Sequence, residues 1–125
     1  KAARGTEGLR YPWGNEADAN RANYDDTGIG TASAVGCFPG GASPYGVEGL
    51  SGNVWQWTRS LYEEYPYDPG DGRESLEASG RRVLRGGAFF NPDYIVRCAC
   101  RYRDYPGSRL SYYGFRVVAS PFRRA

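Results

Sequence analysis

The fold is most constrained by residues 43–58, which read SPYGVEGLSGNVWQWT. The first part of this stretch is a turn built on proline and glycine. The second part, residues 53–58, alternates in side-chain direction, so that Trp55 and Trp57 fall on one face. Alternation with a period of two predicts a β-strand that carries the two indole rings side by side. We expect Trp55, Trp57 and the more distant Trp13 to be scaffold residues rather than site residues.

Two further strands are predicted around this one. Residues 82–85 (RVLR) read as a short strand that a glycine pair closes, and residues 114–118 (GFRVV) read as a final strand. Residues 15–44 and 62–80 are rich in turn-forming residues and read as long loops, the second of them an acidic surface excursion. The pattern predicts an α+β fold with a small antiparallel sheet, little helix and more than half of the chain in loops.

The size of the chain suits one domain. With 125 residues it can bury one modest core, and without a visible repeat or linker we predict a single domain over residues 1–125. Residues 1–4 read as the end of a helix that Gly5 stops. No apolar run approaches the roughly 20 residues that span a bilayer. No membrane span is predicted, no secretory signal is visible, and a cytoplasmic location is favoured.

Charge is divided between the two parts of the chain. Residues 1–80 hold 6 Lys and Arg against 12 Asp and Glu, whereas residues 81–125 hold 10 Arg against 2 Asp. A basic half can indicate a nucleic-acid partner. These arginines are spread singly, however, which is typical of guanidinium groups that hydrogen-bond loop carbonyls. We therefore predict structural arginines and disfavour a nucleic-acid partner.

Histidine is absent and the cysteines are few. Without histidine the chain has neither the commonest general base nor a histidine-dependent zinc site or catalytic triad. Cys37, Cys98 and Cys100 are an odd number, which does not make a closed disulfide framework. Cys98 and Cys100 are too close in sequence to bridge easily. We predict free cysteines, with Cys98 as a small buried apolar residue.

Four blocks of sequence together carry a resemblance to a known family. They are AARG with YPWG in residues 2–14, residues 43–58, RVLRGGAF in residues 82–89, and residues 114–118. In this order and spacing they resemble the formylglycine-generating-enzyme family, whose fold is a variant of the C-type lectin fold. The resemblance spans nearly the whole chain. It also implies that the chain corresponds to the C-terminal portion of the family domain, the N-terminal part of which is missing.

The resemblance does not extend to the family's catalytic chemistry. Catalytic members are copper-dependent oxidases that use two cysteines just after the block that matches residues 86–89. Here the matching residues 90–96 contain no cysteine, and Cys98 matches a family cysteine outside the reactive pair. Since Cu(I) favours a pair of thiolates, we expect no catalytic residues and no oxidase activity.

Calcium is a second property that the resemblance implies. The nearest matches to the family's oxygen ligands are Asn23 and Asp26 in a first loop, and residues 49–56 in a second. Gln56 stands where the family pattern has a glutamate, and the lost charge weakens the second site. The alternative is that these polar residues hold the loops by turn and capping bonds. No other cofactor is expected.

Residues 89–113, here called the variable segment, read FFNPDYIVRCACRYRDYPGSRLSYY and hold 5 of the 11 tyrosines. The segment lacks Lys, Glu, Gln, Met and Trp. Randomising the two adenines of an AAC or AAT codon excludes those same five residue types. The segment therefore resembles the variable proteins of diversity-generating retroelements in bacteria and phages, which carry hypervariable binding surfaces on this fold.

The positions in the segment that this randomisation can reach are the candidate binding residues, called the variable set below. They are Phe89, Phe90, Asn91, Asp93, Tyr94, Cys100, Tyr102, Asp104, Tyr105, Gly107, Ser108, Leu110, Ser111, Tyr112 and Tyr113. Tyrosine offers a large, rigid, amphipathic contact area at low entropic cost, as in antibody paratopes. We expect its five tyrosines to cluster on one exposed face, while arginines such as Arg97, Arg101 and Arg116 hold the backbone. The alternative is that the tyrosines are partly core, since a fold made mostly of loops needs large anchors.

Three hypotheses on function follow. The first is a non-catalytic binding domain whose variable set meets an unidentified protein or other macromolecule. The second is a nonvariable accessory domain of a larger signalling protein, fused to a kinase or protease module. The third, an active formylglycine-generating oxidase, is disfavoured by the missing cysteines. The first two are compatible with each other, and the ligand itself cannot be read from the chain.

Overall fold

The computed structural model describes residues 1–121, so that residues 122–125 of the predicted domain lie outside the described part. Its regular elements are short. The strands are β1 (Trp55–Leu61), β2 (Arg82–Arg85), β3 (Arg101–Asp104) and β4 (Tyr113–Gly114), and two single 3-10 turns cover Asp25–Thr27 and Pro39–Gly41. The remainder of the described chain is loop and turn. This confirms the predicted class, and no helix within residues 1–121 is long or apolar enough to cross a membrane.

The four strands form one sheet in the order β3-β2-β1-β4. β1 pairs with β2 in antiparallel register, with Trp57 opposite Leu84, and β2 pairs with β3 in the same sense. β4 pairs with β1 in parallel, with Trp55 opposite Tyr113. The sheet is therefore mixed rather than purely antiparallel, and the expectation of an antiparallel sheet holds for two of its three strand pairs.

The predicted strands meet different outcomes. Residues 82–85 are confirmed without change, and the strand at residues 53–58 is confirmed with its bounds moved to Trp55–Leu61. The strand at residues 114–118 is wrong, because only its first residue pairs and Phe115, Val117 and Val118 are 78%, 86% and 88% exposed. Its alternating pattern is suited to a strand, but the pairing with β1 ends at Gly114, opposite Gln56.

Two other local expectations also need correction. The expected helix end at residues 1–4 is one isolated turn, in which the Gly5 N–H donates to the Lys1 carbonyl at 3.0 Å. Gly5 has the left-handed φ of 65° that the stop signal requires. β3 lies inside the variable segment, where no strand was predicted. Its sequence RYRD has no apolar alternation, so pairing with β2 rather than a local preference defines it.

The core consists of two small apolar clusters. One contains Tyr11, Tyr24 and Val96, with Trp13 packed against it. The other contains Trp55 and Leu84, and the half-buried Trp57 packs on its edge. The three tryptophans are therefore packed into the fold, as a scaffold role requires.

Arginines connect the loops to the sheet. Arg82 is buried and donates to the carbonyls of Arg59 at 2.7 Å and Ser75 at 2.9 Å, and also to that of Ala78. Arg85 donates to the Ala99 carbonyl at 2.9 Å. These bonds confirm the prediction of structural arginines, since each satisfies loop carbonyls that the small sheet leaves unpaired.

Arg101 fixes the acidic excursion of residues 62–80 to the edge of the sheet. Its guanidinium donates to the Glu63 carbonyl at 2.7 Å. The same group lies 4.2 Å from the ring centroids of Tyr62 and Tyr65, in the range of cation–π contact. The excursion is thus held from β3, a strand of the variable segment.

We predict that Trp55→Ala lowers the free energy of unfolding by about 3–5 kcal/mol, because it leaves a cavity beside Leu84. A loss of this size unfolds a small domain. Trp55 is 5% exposed, whereas Val35 is 93% exposed, which makes Val35→Ala the control that should change little. Urea unfolding followed by circular dichroism measures both. A Trp55→Ala protein as stable as the control would refute the assignment of Trp55 to the core.

Candidate binding surface

The backbone of the variable segment is attached to the scaffold along its whole length. At its start, the Phe89 N–H donates to the Asn53 carbonyl at 2.9 Å. In its middle, the Cys98 N–H donates to the Arg10 carbonyl at 2.8 Å, and β3 pairs with β2. Near its end, the Trp55 N–H donates to the Tyr112 carbonyl at 2.8 Å. The path of the segment is therefore set largely by backbone bonds that tolerate different side chains.

Every member of the variable set is exposed or half-buried, and none is buried. Val96, which lies in the same segment but outside the set, is 0% exposed and belongs to the Tyr11 cluster. The larger exposed members of the set are Phe90, Tyr94, Tyr102, Tyr105 and Leu110. The positions chosen from codon composition thus avoid the core position of the segment.

Aromatic rings of the set form a continuous row on the sheet. Phe89 contacts Phe90 with centroids 5.4 Å apart, Phe90 contacts Tyr112 at 4.8 Å, and Tyr112 contacts Tyr113 at 5.1 Å. Tyr113 in turn meets the Trp57 indole at 5.4 Å, edge to face. No sequence signal joins Trp57 to this row, because the contact depends on the parallel pairing of β4 with β1.

The five tyrosines are not all equivalent, which corrects the expectation of one exposed cluster. Tyr94 and Tyr105 are each 60% exposed, and neither ring stacks on another within residues 1–121. Tyr102 is exposed and contacts Trp55 at 5.7 Å. Tyr112 and Tyr113 are half-buried in the row of rings. The five tyrosines therefore differ in exposure, and two of them belong to a partly buried aromatic row.

A carboxylate links three other members of the set. Asp104 accepts hydrogen bonds from Ser108 Oγ at 2.8 Å, Tyr113 Oη at 2.8 Å and the Tyr105 N–H at 2.7 Å. The bonds from Ser108 and Tyr113 hold the pKa of Asp104 below its usual value. Burial, reinforced by Asp104, raises the pKa of Tyr113. Tyr113 therefore supports the loop through its hydroxyl.

The arginines named from the sequence do bond carbonyls. Arg97 Nε donates to the Tyr94 carbonyl at 2.7 Å. Arg116 donates to the Glu48 and Gly49 carbonyls at 2.9 and 2.8 Å. Both arginines are exposed, so they act from the surface rather than from beneath the loop.

The cysteines are free, as predicted. Cys37 is exposed, and Cys98 and Cys100 are half-buried. Cys100 packs against the cluster of Trp55 and Leu84, so it has a packing role that the sequence did not reveal. Burial raises the pKa of both Cys98 and Cys100. A thiol with a raised pKa provides less of the thiolate that binds a soft metal.

The residues suggested for calcium make bonds within the protein. Asn23 is buried, and its amide nitrogen donates to the Thr31 carbonyl at 2.9 Å, whereas Asp26 is exposed. One buried oxygen, Asn23 Oδ1, has no hydrogen-bond partner. Calcium takes about six to eight oxygens, and residues 1–121 hold no cluster of three acidic, cysteine or histidine residues. The bonds of the Asn23 amide nitrogen favour the loop-holding alternative.

Like Asn23, Gln56 forms hydrogen bonds within the protein, and it uses both ends of its amide. Its nitrogen donates to the Gly49 carbonyl at 2.7 Å, and its oxygen accepts from Arg116 Nε at 2.6 Å. A guanidinium cation therefore already occupies the carbonyl oxygens of this loop. The same residues line part of a cavity of about 280 Å³, to which no residue of the variable segment contributes.

Comparison with known proteins gives one family. A model described as the sulfatase-modifying factor enzyme 1-like domain matches residues 1–121. The serine/threonine-protein kinase pkn1 of Chlamydia caviae is 37% identical over 91% of this chain and 18% of its own length. The hercynine oxygenase of Mycobacterium tuberculosis is 35% identical over 87% of this chain and 27% of its own. The inactive C-alpha-formylglycine-generating enzyme 2 of Mus musculus is 32% identical over 98% of this chain and 41% of its own length.

Solved structures of other proteins share the fold of this chain. PvdO from Pseudomonas aeruginosa superposes with a TM-score of 0.75 and 28% identity, over 91% of this chain and 46% of that one. The variable protein 1 of Treponema denticola superposes with a TM-score of 0.73 and 25% identity, over 91% of this chain and 42% of that protein. The chain thus spans less than half the length of each of these relatives.

We predict that Tyr94→Ser and Tyr105→Ser each change the free energy of unfolding by about 0.5 kcal/mol or less, the usual range for exposed positions. Arg101→Ala should cost about 1–2 kcal/mol, because it removes one carbonyl bond and two ring contacts. Arg109 is exposed and bonds no group within residues 1–121, so Arg109→Ala is the matched control. Thermal unfolding of the four variants decides the matter. If the tyrosine variants unfold while Arg101→Ala stays stable, the side chains of the segment belong to the core and not to a binding surface.

Proposed function

This chain belongs to the sulfatase-modifying factor enzyme 1-like domain family, and from that premise we propose that it is a non-catalytic binding domain. In this proposal residues 1–125 are one domain, and the variable set of residues 89–113 is a surface that changes between copies of the gene and meets a protein ligand. The observation that carries it is the division of roles within the segment. Backbone bonds and arginines set the path, and no member of the set is buried.

The chemistry of the set supports a protein ligand. Exposed tyrosines such as Tyr94, Tyr102 and Tyr105 provide broad apolar faces with a hydroxyl at the edge, and such residues dominate binding energy at interfaces. Five of the eight arginines within residues 81–121 bond carbonyls, namely Arg82, Arg85, Arg97, Arg101 and Arg116. A nucleic acid would need free cations in a continuous patch, so the proposal favours a protein surface.

Relatives support a role without catalysis. The Treponema denticola protein with a TM-score of 0.73 is described as a variable protein. The mouse relative that this chain matches over 98% of its length is described as inactive. Both support a domain that keeps the fold of the family and uses it for purposes other than the family's oxidation.

The hercynine oxygenases are enzymes, and they are the reason to examine catalysis in this chain. Non-haem iron oxygenases bind their metal with histidines and a carboxylate, and this chain has no histidine. The oxidase reaction of the formylglycine-generating family needs a reactive cysteine pair, and residues 90–96 contain none. The residues of this chain therefore supply neither kind of metal site.

A second candidate function is an accessory domain of a larger signalling protein. The pkn1 kinase of Chlamydia caviae contains a region 37% identical to this chain, which makes up 18% of that protein. A binding domain attached to a kinase would present its surface to a regulator or substrate. This role is compatible with the first. Only the first role requires that the residues of the variable set differ between copies of the gene.

The test of the proposal is the DNA around the gene. We expect a near-identical repeat of the coding region for residues 89–113, with adenines in the codons of the variable set, and a reverse-transcriptase gene nearby. Sequencing of many isolates should place amino-acid changes in the set and leave Val96, Arg97 and Arg101 unchanged. Changes spread evenly over the segment and the scaffold would contradict a variable surface and leave the accessory role.

We also predict that the domain does not convert cysteine to formylglycine. A cysteine-containing peptide incubated with the protein and copper should keep its mass, because the available thiols are outside the reactive positions and burial raises the pKa of Cys98 and Cys100. Mass spectrometry of the peptide measures this. Conversion that is lost in a Cys98→Ser or Cys100→Ser variant would show the domain to be an enzyme.

A further inference from the structure

An open cleft of about 600 Å³ lies beside the variable segment. Three parts of the chain form its walls. Trp57 comes from β1, Leu76 and Ala78 come from the acidic excursion, and Tyr105 with Pro106 comes from the variable segment. The excursion had no assigned role in the sequence, and the cleft brings it next to the candidate surface.

The charged groups that line the cleft are already engaged. Arg82 bonds the carbonyls of Arg59, Ser75 and Ala78, and Arg59 Nε donates to the Glu74 carbonyl at 2.8 Å. No carboxylate and no lysine line the cleft. A cationic group entering the cleft would lose its hydration and meet two guanidinium groups of the same sign, which is costly. Trp57, Leu76 and Tyr105 offer apolar surface instead, so the cleft disfavours a cation and suits an apolar group.

Apart from Thr58, Ser79 and Gly80, the remaining walls are apolar, and part of them is open to solvent. Leu76 is 70% and Tyr105 60% exposed. The Trp57 indole is half-buried and held from behind by Tyr113, whose hydroxyl is bonded to Asp104. A rigid aromatic floor with exposed apolar walls gains free energy when an apolar group covers it.

We propose that this cleft is an anchoring subsite, which takes one uncharged apolar side chain, aromatic or branched aliphatic, from the protein ligand. The proposal rests on the proposed function and specifies the ligand chemistry of the same surface. Pockets that receive a single large apolar residue are typical of the centres of protein interfaces. The volume of the cleft is also within the usual range for ligand sites.

The fixed and the variable walls of the cleft have different roles in recognition. Trp57 and Leu76 lie outside the variable set and are the same in every copy, whereas Tyr105 belongs to it. The fixed walls select an apolar anchor in every copy, and the residue at position 105 determines its size and shape. A constant anchor beside a changing surface keeps a minimum of affinity while specificity changes.

The test is an NMR titration of the ¹⁵N-labelled domain with N-acetyl-L-phenylalanine amide. Saturable shifts are expected at the Trp57 indole N–H and at the Leu76 and Tyr105 amides, but not at the Trp13 indole. N-acetylglycine amide and N-acetyl-L-lysine amide should produce no saturable shift. Leu76→Ser should raise the Kd of the phenylalanine probe about fivefold, which corresponds to roughly 1 kcal/mol.

The matched control is Leu110→Ser. Leu110 is exposed and belongs to the variable segment, but it does not line the cleft, so its variant should bind the probe like the unmodified domain. The proposal is overturned if the Trp57 signal does not saturate, if the lysine probe shifts it equally, or if Leu110→Ser weakens binding as much as Leu76→Ser. Probe binding does not depend on variation of the gene. A negative titration therefore refutes the subsite without refuting the variable surface, and an invariant gene refutes the variable surface without refuting the subsite.

Discussion

Hydrogen bonds from arginine guanidinium groups to loop carbonyls are the interaction on which the rest of this structure depends. Most of the described chain is loop, and buried or crowded carbonyls need donors that the four-stranded sheet cannot supply. Arg82 bonds the Ser75 and Ala78 carbonyls of the excursion together with the Arg59 carbonyl of β1, and Arg101 bonds the Glu63 carbonyl from the edge strand β3. A guanidinium suits this task because one planar group carries five donors. Such bonds explain five of the eight arginines in residues 81–121, namely Arg82, Arg85, Arg97, Arg101 and Arg116.

The same arrangement separates the path of the backbone from the identity of the side chains. Where arginines and backbone bonds hold a loop, its side chains need not pack to keep it in place. The variable segment meets this condition at Phe89, Cys98 and β3, each bonded to the scaffold through main-chain atoms. A surface of this kind can change residues without losing its shape, as binding loops on rigid scaffolds do. This is the physical basis for placing recognition in residues 89–113.

Much of the fold could be predicted from the sequence, because its signals are local. The run RVLR became β2 without change, and the two indoles placed β1 to within a few residues. The errors in the predicted strands concern pairing. Residues 114–118 have the pattern of a strand, but their pairing with β1 ends at Gly114, whereas RYRD lacks the pattern and becomes β3 by pairing with β2. The candidate surface was recognised by composition, but the place of Trp57 and Leu76 beside it required the three-dimensional arrangement.

The variable set is also less independent than its codons suggest. Asp104, Ser108 and Tyr113 all belong to it, yet the carboxylate of Asp104 accepts bonds from the other two and from the Tyr105 N–H. Replacing Tyr113 with a residue that lacks a hydroxyl removes one donor from a half-buried carboxylate, whereas replacing Asp104 at the same time removes the need for that donor. Residues that share a hydrogen-bond network have non-additive effects on stability. Changes at these three positions are therefore coupled, while Tyr94 and Leu110 can vary singly. The surface combines freely variable positions with a small interdependent group, and that group also holds the Trp57 ring that forms the floor of the cleft.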